Sequence, residues 1–198
     1  MSLDGTNGRL ARSIAKPPSP AKRPHPTSKM RFPRHIFWPL ATTLVLCDCA
    51  TKRAIEDSEV PGLPRPVVDG VFRFTLEYNR GGAFSTHFGR HERAWLIGGG
   101  IAILAVLVYL YRDLMRSRTS WSAVVGSALA IGGAVGNLMD RVRSARGVVD
   151  FIDVGVGTSR FYIFNVADMG LSVGAVLIAY AVWRAETERR RHSALAAG

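Results

Sequence analysis

The chain has 198 residues, of which 47% are hydrophobic and 21% charged, with 26 Lys and Arg against 15 Asp and Glu. Its length fits one domain, and its long apolar runs exclude a wholly disordered protein. Two cysteines, Cys47 and Cys49, exclude a disulfide scaffold, and the five histidines show no zinc-type spacing. Because apolar and basic residues occupy separate stretches, the class that remains is a small polytopic membrane protein.

The first 34 residues differ in composition from the rest of the chain. They contain eight Lys and Arg, one acidic residue and a Pro-rich run at 16–26. Such a segment cannot bury a core, so we predict that 1–34 is a disordered basic tail. It is too long for a typical signal-peptide n-region, and the apolar run that follows carries Asp48. We therefore expect that run to be retained as the first membrane span.

Four apolar stretches follow the tail, at 35–50, 95–111, 121–139 and 161–183. The third has 19 residues without a charge, which in a helix span about 28 Å, close to the hydrocarbon thickness of a bilayer. The first is the weakest, because it is short and contains Pro39 and Asp48. Together the stretches predict a four-helix transmembrane domain over 35–184.

The distribution of Lys and Arg predicts the orientation of these spans. The amino tail, the 112–120 loop and the carboxyl segment 184–198 share 15 Lys and Arg and a net charge of +11, against 10 and +2 on the other side. By the positive-inside rule, both termini are cytoplasmic, including a basic tail at 185–198, and segments 53–93 and 141–160 face outward. The tails either set orientation alone or also contact anionic lipid head groups.

The outward segment contains a pattern typical of β-structure. Apolar and polar residues alternate from Val71 to Tyr78, and Asp69-Gly70 is a turn signal. We predict one or two short strands within 67–78. Since an open strand edge cannot face lipid, this small sheet should lie on the outer surface.

Charged residues at span ends require a compensating interaction, because charge at bilayer depth is costly. Asp48 and Lys52 lie one helical turn apart and can pair. This pair either neutralises a helix end or shapes a site, and the spacing leaves both interpretations open.

The end of the third span carries a second polar group. Gly132 and Gly136 have the spacing that lets another helix approach closely, so we predict a helix–helix seam there. Asn137 and Arg141 are one turn apart and point the same way, with Asp140 beside them. For these two residues we favour a supporting role at a site.

Two further carboxylates suggest chemistry. Asp150 lies in an apolar segment, 147–153, which we predict to be a loop, and Asp168 lies one turn after Asn165 at the start of the fourth span. If the two carboxylates meet, one keeps its proton while the other, which we expect to be Asp168 near a helix N-terminus, activates water. Asp153 is a competing carboxylate. Taken alone, such a pair also fits a proton or cation pathway, although the polar residues gather at span ends.

Several motif blocks extend this interpretation. Five occur in order: DCATK at 48–52, NRGGAFS at 79–85, GGAVGNLMDR at 132–141, GVVDF at 147–151 and FNVAD at 164–168. With four spans, they resemble lipoprotein signal peptidase (signal peptidase II), the membrane aspartic peptidase family of bacteria. The resemblance covers residues 36–183. The tail 1–34 lies outside it, and Cys49 stands where the family often has Gln.

The resemblance implies an all-α polytopic fold of four transmembrane helices with a small extracytoplasmic β-cradle. It also implies that Asp150 and Asp168 form a catalytic dyad around one water. The residues that it places around the dyad as site support are Asn79, Asn137, Arg141, Asn165, Asp48 and Lys52.

The same resemblance implies the substrate and the location. The expected substrate is a prolipoprotein with a diacylglyceryl cysteine, cut just before that cysteine at the outer leaflet of the bacterial cytoplasmic membrane. No metal or organic cofactor is expected, globomycin is the typical inhibitor, and we expect a monomer that contacts membrane lipids and no nucleic acid. Phe84, Phe151 and Phe164 either contact acyl chains or simply pack.

Overall fold

The computed structural model describes residues 34–81, 91–117 and 120–197. The tail predicted at 1–34 lies outside these ranges apart from Arg34, and so does Phe84. A short 3-10 turn, Arg34–Ile36, precedes the first helix. The described α-helices are α1 Phe37–Ser58, α2 Glu92–Ser117, α3 Trp121–Arg143 and α4 Val166–Ala197.

A small antiparallel sheet lies at one end of the helices, called the sheet end below. Its strands are β1 Arg65–Val68, β2 Phe72–Asn79, β3 Val148–Val156 and β4 Ser159–Arg160, in the order β1-β2-β3-β4. The prediction of strands within 67–78 is confirmed.

The prediction of a loop at 147–153 is wrong, because these residues form most of β3. The first four residues of β3, Val148 to Phe151, are all buried, so both faces of the strand are covered there. A strand covered on both faces reads as a nearly continuous apolar run and shows no alternation. The segment therefore lacked the pattern that identified its neighbour β2.

Helix α3 is the centre of the bundle and packs against α1, α2 and α4. More than half of the most apolar 18-residue stretch of α3 is buried, whereas no part of the corresponding stretch of α2 is buried. The contact with α4 is close: a Cβ atom added at Gly133 would lie 2.2 Å from the carbonyl oxygen of Ala167. Only glycine permits this approach, and it brings the start of α4 against α3.

The predicted spans correspond to helices with different bounds. Among the described helices, α2, α3 and α4 are long and apolar enough to cross a membrane. Helix α1 runs past residue 50 to Ser58. Helix α4 begins at Val166 rather than 161, because the preceding segment is hydrogen-bonded to β3: the N–H of Phe161 donates to it, and Phe164 both donates and accepts. It continues to Ala197, so residues 185–197 of the predicted carboxyl tail are helical.

The sheet is attached to the bundle through a small apolar core. Buried residues of α1, β2 and β3 form it: Ile55, Leu76, Val149 and Phe151, with Val166 of α4 packed against them. This core fixes β3 beside the first turn of α4. The side chains of Asp150 and Asp168 are positioned by these two elements.

Candidate active site

Asp150 lies on β3 and is almost fully buried, with 4% of its surface exposed. Its carboxylate accepts hydrogen bonds from two amide side chains, at 3.1 Å from Asn79 Nδ2 and at 2.6 Å from Asn165 Nδ2. Asn79 ends β2, the strand paired with β3, and its own Oδ1 accepts a bond from the N–H of Gly81. The donors to Asp150 are thus held by neighbouring elements.

Asp168 lies in the first turn of α4 and forms a capping box with Asn165. The N–H of Asp168 donates to Asn165 Oδ1 at 2.9 Å, and the N–H of Asn165 donates to the carboxylate of Asp168 at 3.2 Å. This reciprocal arrangement satisfies the free backbone donors of a helix start. The other carboxylate oxygen of Asp168 accepts a bond from Asn137 Nδ2 at 2.7 Å.

Asn165 connects the two carboxylates. Its buried side chain caps α4 through one atom and holds Asp150 through the other, while Nδ2 also lies 3.1 Å from Asn137 Oδ1. The structure therefore brings Asp150 and Asp168 to the same side chain, that of Asn165. Burial, followed by the negative charge of Asp168, raises the pKa of Asp150 to about 7.

Lys52 of α1 lies next to this group of residues and is 3% exposed. Its Nζ atom is 2.7 Å from a carboxylate oxygen of Asp48 and 2.7 Å from one of Asp140. It also donates to Asn137 Oδ1 at 3.2 Å. A buried ammonium group needs such partners, and here they join α1 and α3 to the amide that holds Asp168.

Asp48 occupies space that a glycine leaves open. A Cβ atom added at Gly136 would lie 2.6 Å from Asp48 Oδ2. The other oxygen of Asp48 accepts a bond at 2.9 Å from the N–H of Ala167, in the first turn of α4. The contacts therefore fit both interpretations of the Asp48–Lys52 pair, since the two charges neutralise each other and also contact the helices that carry the site.

Arg141 lies near the end of α3, and its side chain donates hydrogen bonds to main-chain oxygens. Its guanidinium donates to the carbonyl of Asn137 at 3.2 Å and to that of Gly81 at 3.5 Å. It also interacts electrostatically with Asp150 and Asp168. The neighbouring Asp140 pairs with Lys52 of α1.

Asp153, the competing carboxylate, lies three residues further along β3 and therefore on the opposite face of the strand. It is bound by Arg73 and Arg160 and accepts a bond from Thr75 at 3.0 Å. Although burial opposes ionisation, these bonds hold the pKa of Asp153 below its usual range. This carboxylate connects strands and does not join the Asp150–Asp168 pair.

Two features of the site were not predicted. Asp140 was noted only as a neighbour of Arg141, although its position in a matching motif block was a usable signal. A cluster of Glu56, Tyr78 and Arg146 bridges α1, β2 and the turn before β3, and no sequence pattern identified it. Within the described ranges, no three His, Cys, Asp or Glu side chains are placed to hold a metal ion.

Helices of membrane length around a carboxylate pair, with Asp150 buried and Asp168 half-buried, fit both a membrane-embedded hydrolase and a proton or cation pathway. Comparison with known proteins narrows the class, because the family model described as signal peptidase (SPase) II matches residues 40–184. The chain therefore belongs to the signal peptidase II family and is a peptidase of the bacterial inner membrane. The family predicted from the five motif blocks is confirmed.

Individual relatives agree with this assignment. The lipoprotein signal peptidase of Cupriavidus taiwanensis is 36% identical over 172 residues, covering 85% of this chain and 94% of that protein. The lipoprotein signal peptidase of Geobacillus kaustophilus is 37% identical over 142 residues, covering 72% and 88%. A solved structure of a bacterial membrane enzyme is similar with a TM-score of 0.68 at 29% identity, covering 78% of this chain and 91% of its own.

Proposed function

We propose that this protein removes signal peptides from prolipoproteins, cutting just before a cysteine that already carries diacylglycerol. The names of its relatives as lipoprotein signal peptidases and the five motif blocks support this substrate class. The observation that carries the proposal is the pairing of Asp150 with Asp168 through Asn165. Asp150, Asp168 and one water are the reacting groups, and no metal or organic cofactor takes part.

The two carboxylates take different roles in the first step. Asp168 lies at a helix start, where negative charge is favourable, and removes a proton from the water. The water oxygen then attacks the scissile carbonyl carbon. Asp150, whose pKa is raised to about 7, carries the proton that is donated to the carbonyl oxygen. A neutral tetrahedral intermediate results, and each proton is accounted for.

The second step reverses these roles. Asp168, now protonated, donates to the nitrogen of the leaving amide, and Asp150 recovers its proton from the intermediate as the C–N bond breaks. The products are the signal peptide with a new carboxyl group and the mature chain with a new amino group. Both aspartates return to their starting states.

The surrounding residues position the reacting groups. Asn79 and Asn165 orient Asp150, and Asn137 orients Asp168 through bonds of 2.6–3.1 Å. Lys52, which pairs with Asp48, donates a hydrogen bond to Asn137. Arg141 supplies positive charge near the pair, where partial negative charge develops on the carbonyl oxygen before Asp150 completes the transfer of its proton.

We assign four spans to the membrane, with α1 as the fourth beside α2, α3 and α4. Its 22 residues span about 33 Å, and the ion pair between Asp48 and Lys52 reduces the cost of placing these charges in the second half of the helix. The Lys and Arg asymmetry puts both termini in the cytoplasm. The sheet end then lies at the outer leaflet, where a diacylglyceryl anchor holds the scissile bond close to the site.

The test uses the purified full chain and three precursor peptides: one with diacylglyceryl cysteine, one with unmodified cysteine and one with serine at that position. We expect cleavage of the lipidated precursor alone, just before the cysteine by mass spectrometry, and inhibition by globomycin. The double variant D150N/D168N should be inactive. Equal cleavage of the unmodified precursor would reject the lipid requirement, and cleavage by the double variant would reject the dyad.

A further inference from the structure

Arg93, in the first turn of α2, bonds to the last turn of α3. Its Nε atom donates to the carbonyl oxygen of Arg141 at 2.9 Å, and one of its Nη atoms donates to that of Val142 at 2.9 Å. A single guanidinium group therefore binds two consecutive carbonyls. Neither the motif blocks nor the apolar pattern singled out this residue.

These two carbonyls lack partners within their helix. The last four carbonyl groups of an α-helix have no intrahelical donor. In α3, the N–H of Ser144 bonds to the carbonyl of Asp140, and Arg93 bonds to the next two. Arg93 thus acts as a side-chain cap supplied by a different helix.

Electrostatics explain why an arginine occurs at this position. A positive charge in the first turn of a helix is unfavourable with respect to that helix's own dipole. The carboxyl end of α3 is negative, and it lies next to the start of α2 because the two helices are antiparallel neighbours. The charge of Arg93 is therefore compensated by α3 and not by α2.

The turn that Arg93 caps carries Arg141, a residue of the site. Arg141, which interacts electrostatically with Asp150 and Asp168, donates its guanidinium along this turn to the carbonyl of Asn137. Arg93 and Arg141 also line the same cavity, of about 120 Å³, between α2 and α3. A displacement of the turn would move the Arg141 side chain relative to the carboxylate pair.

We propose that Arg93 is a positioning residue, which fixes the last turn of α3 and thereby holds Arg141 beside the reacting carboxylates. The inference rests on the proposed function, since it assigns Arg141 to the stabilisation of developing negative charge. The inference adds to the site a residue of α2, Arg93, which affects the reaction through the backbone of α3.

The experiment measures kcat and KM of the full-length enzyme on the lipidated precursor for R93Q and R93K. We expect R93Q to lower kcat about tenfold with KM nearly unchanged, because misplacement of Arg141 affects the transition state more than substrate binding. R93K keeps the charge and one donor and should recover part of the loss. The matched control is R53Q, since Arg53 is 76% exposed and, within the described part of the chain, its ion pair is with Asp57 of the same helix. Its kcat should equal that of the wild type.

A double-mutant cycle separates positioning from a general structural effect. In an R141Q background, measured by single turnover with excess enzyme, R93Q should change the rate less than about twofold, because its target is already absent. A full tenfold loss in that background, or wild-type kcat in R93Q, overturns the inference. If R93Q does not fold, R93K is carried through the same cycle; its smaller loss of kcat should disappear in the R141Q background, and an undiminished loss there overturns the inference. Cleavage by D150N in this assay would instead reject the proposed dyad, and no cleavage by the wild type would reject the proposed function.

Discussion

The two faces of strand β3 carry aspartates that are equally buried and differently bound. Asp150 is 4% exposed and Asp153 is 1% exposed. Asp153 meets two guanidinium groups, which keep it ionised, whereas Asp150 meets amide donors and the negative charge of Asp168. Burial alone therefore does not make a carboxyl group reactive. The charge of its neighbours decides which face connects strands and which face is suited to proton transfer.

The largest expected effect separates the two faces directly. D150N should lower kcat/KM by at least about a thousandfold, because the amide cannot donate and recover the proton. The measurement is cleavage of the lipidated precursor at equal amounts of folded, membrane-inserted protein. D69N, in an exposed turn of the same sheet, is the matched control and should keep wild-type activity. Activity of D150N near the wild-type level would remove the distinction between the faces.

The pH dependence of the reaction sharpens the comparison. The proposed mechanism needs Asp150 protonated, and its pKa is raised to about 7 by burial and by Asp168. Above about pH 7, kcat/KM should therefore fall roughly tenfold per pH unit, as the protonated fraction decreases. A pH–rate profile from 5 to 9 measures this. A profile that stays flat up to pH 9 would show that Asp150 is not the acid.

The smallest effect on activity is expected on the other face. D153N should change kcat/KM less than about threefold, yet it leaves Arg73 and Arg160 without their shared anion. Because the pKa of Asp153 is held below its usual range, its ionised form stabilises the fold above the usual pKa of 3.8, and this contribution is lost as the pH falls. At pH 7 the variant should lose about 2 kcal/mol, less than a fully buried pair because Arg73 reaches solvent.

Unfolding of D153N in detergent micelles at pH 7 tests this expectation. The melting temperature should fall while the folded fraction remains active. A loss of activity as severe as that of D150N, in protein that is still folded, would assign a catalytic part to Asp153.

Much of the site followed from local spacing. Asn165 and Asp168 are one turn apart at a helix start, so their reciprocal bonds are a local property of the sequence. The same holds for the pair of Asp48 and Lys52 along α1. The apolar runs indicated the helices for a similar reason, since length and the absence of charge are read along the chain.

Features that depend on contacts between distant segments were not predictable in this way. Strand β3 was missed because its buried residues form an apolar run that fits either a loop or a covered strand. The partner of Asp140 is Lys52, 88 positions earlier in the sequence, and only the packing of α1 against α3 brings them together. The bonds from Arg93 to α3 involve carbonyl groups, which every residue has and no sequence pattern marks.

The contacts of Asn165 also affect how the protein responds to its lipid surroundings. A thicker or thinner bilayer favours sliding or tilting of a membrane helix. Sliding of α4 along its axis would carry Asp168 away from Asp150. The Asn165 side chain opposes that movement, because it is hydrogen-bonded both to Asp150 of β3 and to the N–H of Asp168. Helix α2 has no buried residue in its most apolar segment, so that segment is less restrained, although Arg93 bonds the first turn of α2 to α3. We therefore expect hydrophobic mismatch to be absorbed at the periphery, with the separation of the two aspartates unchanged across lipids of different acyl length.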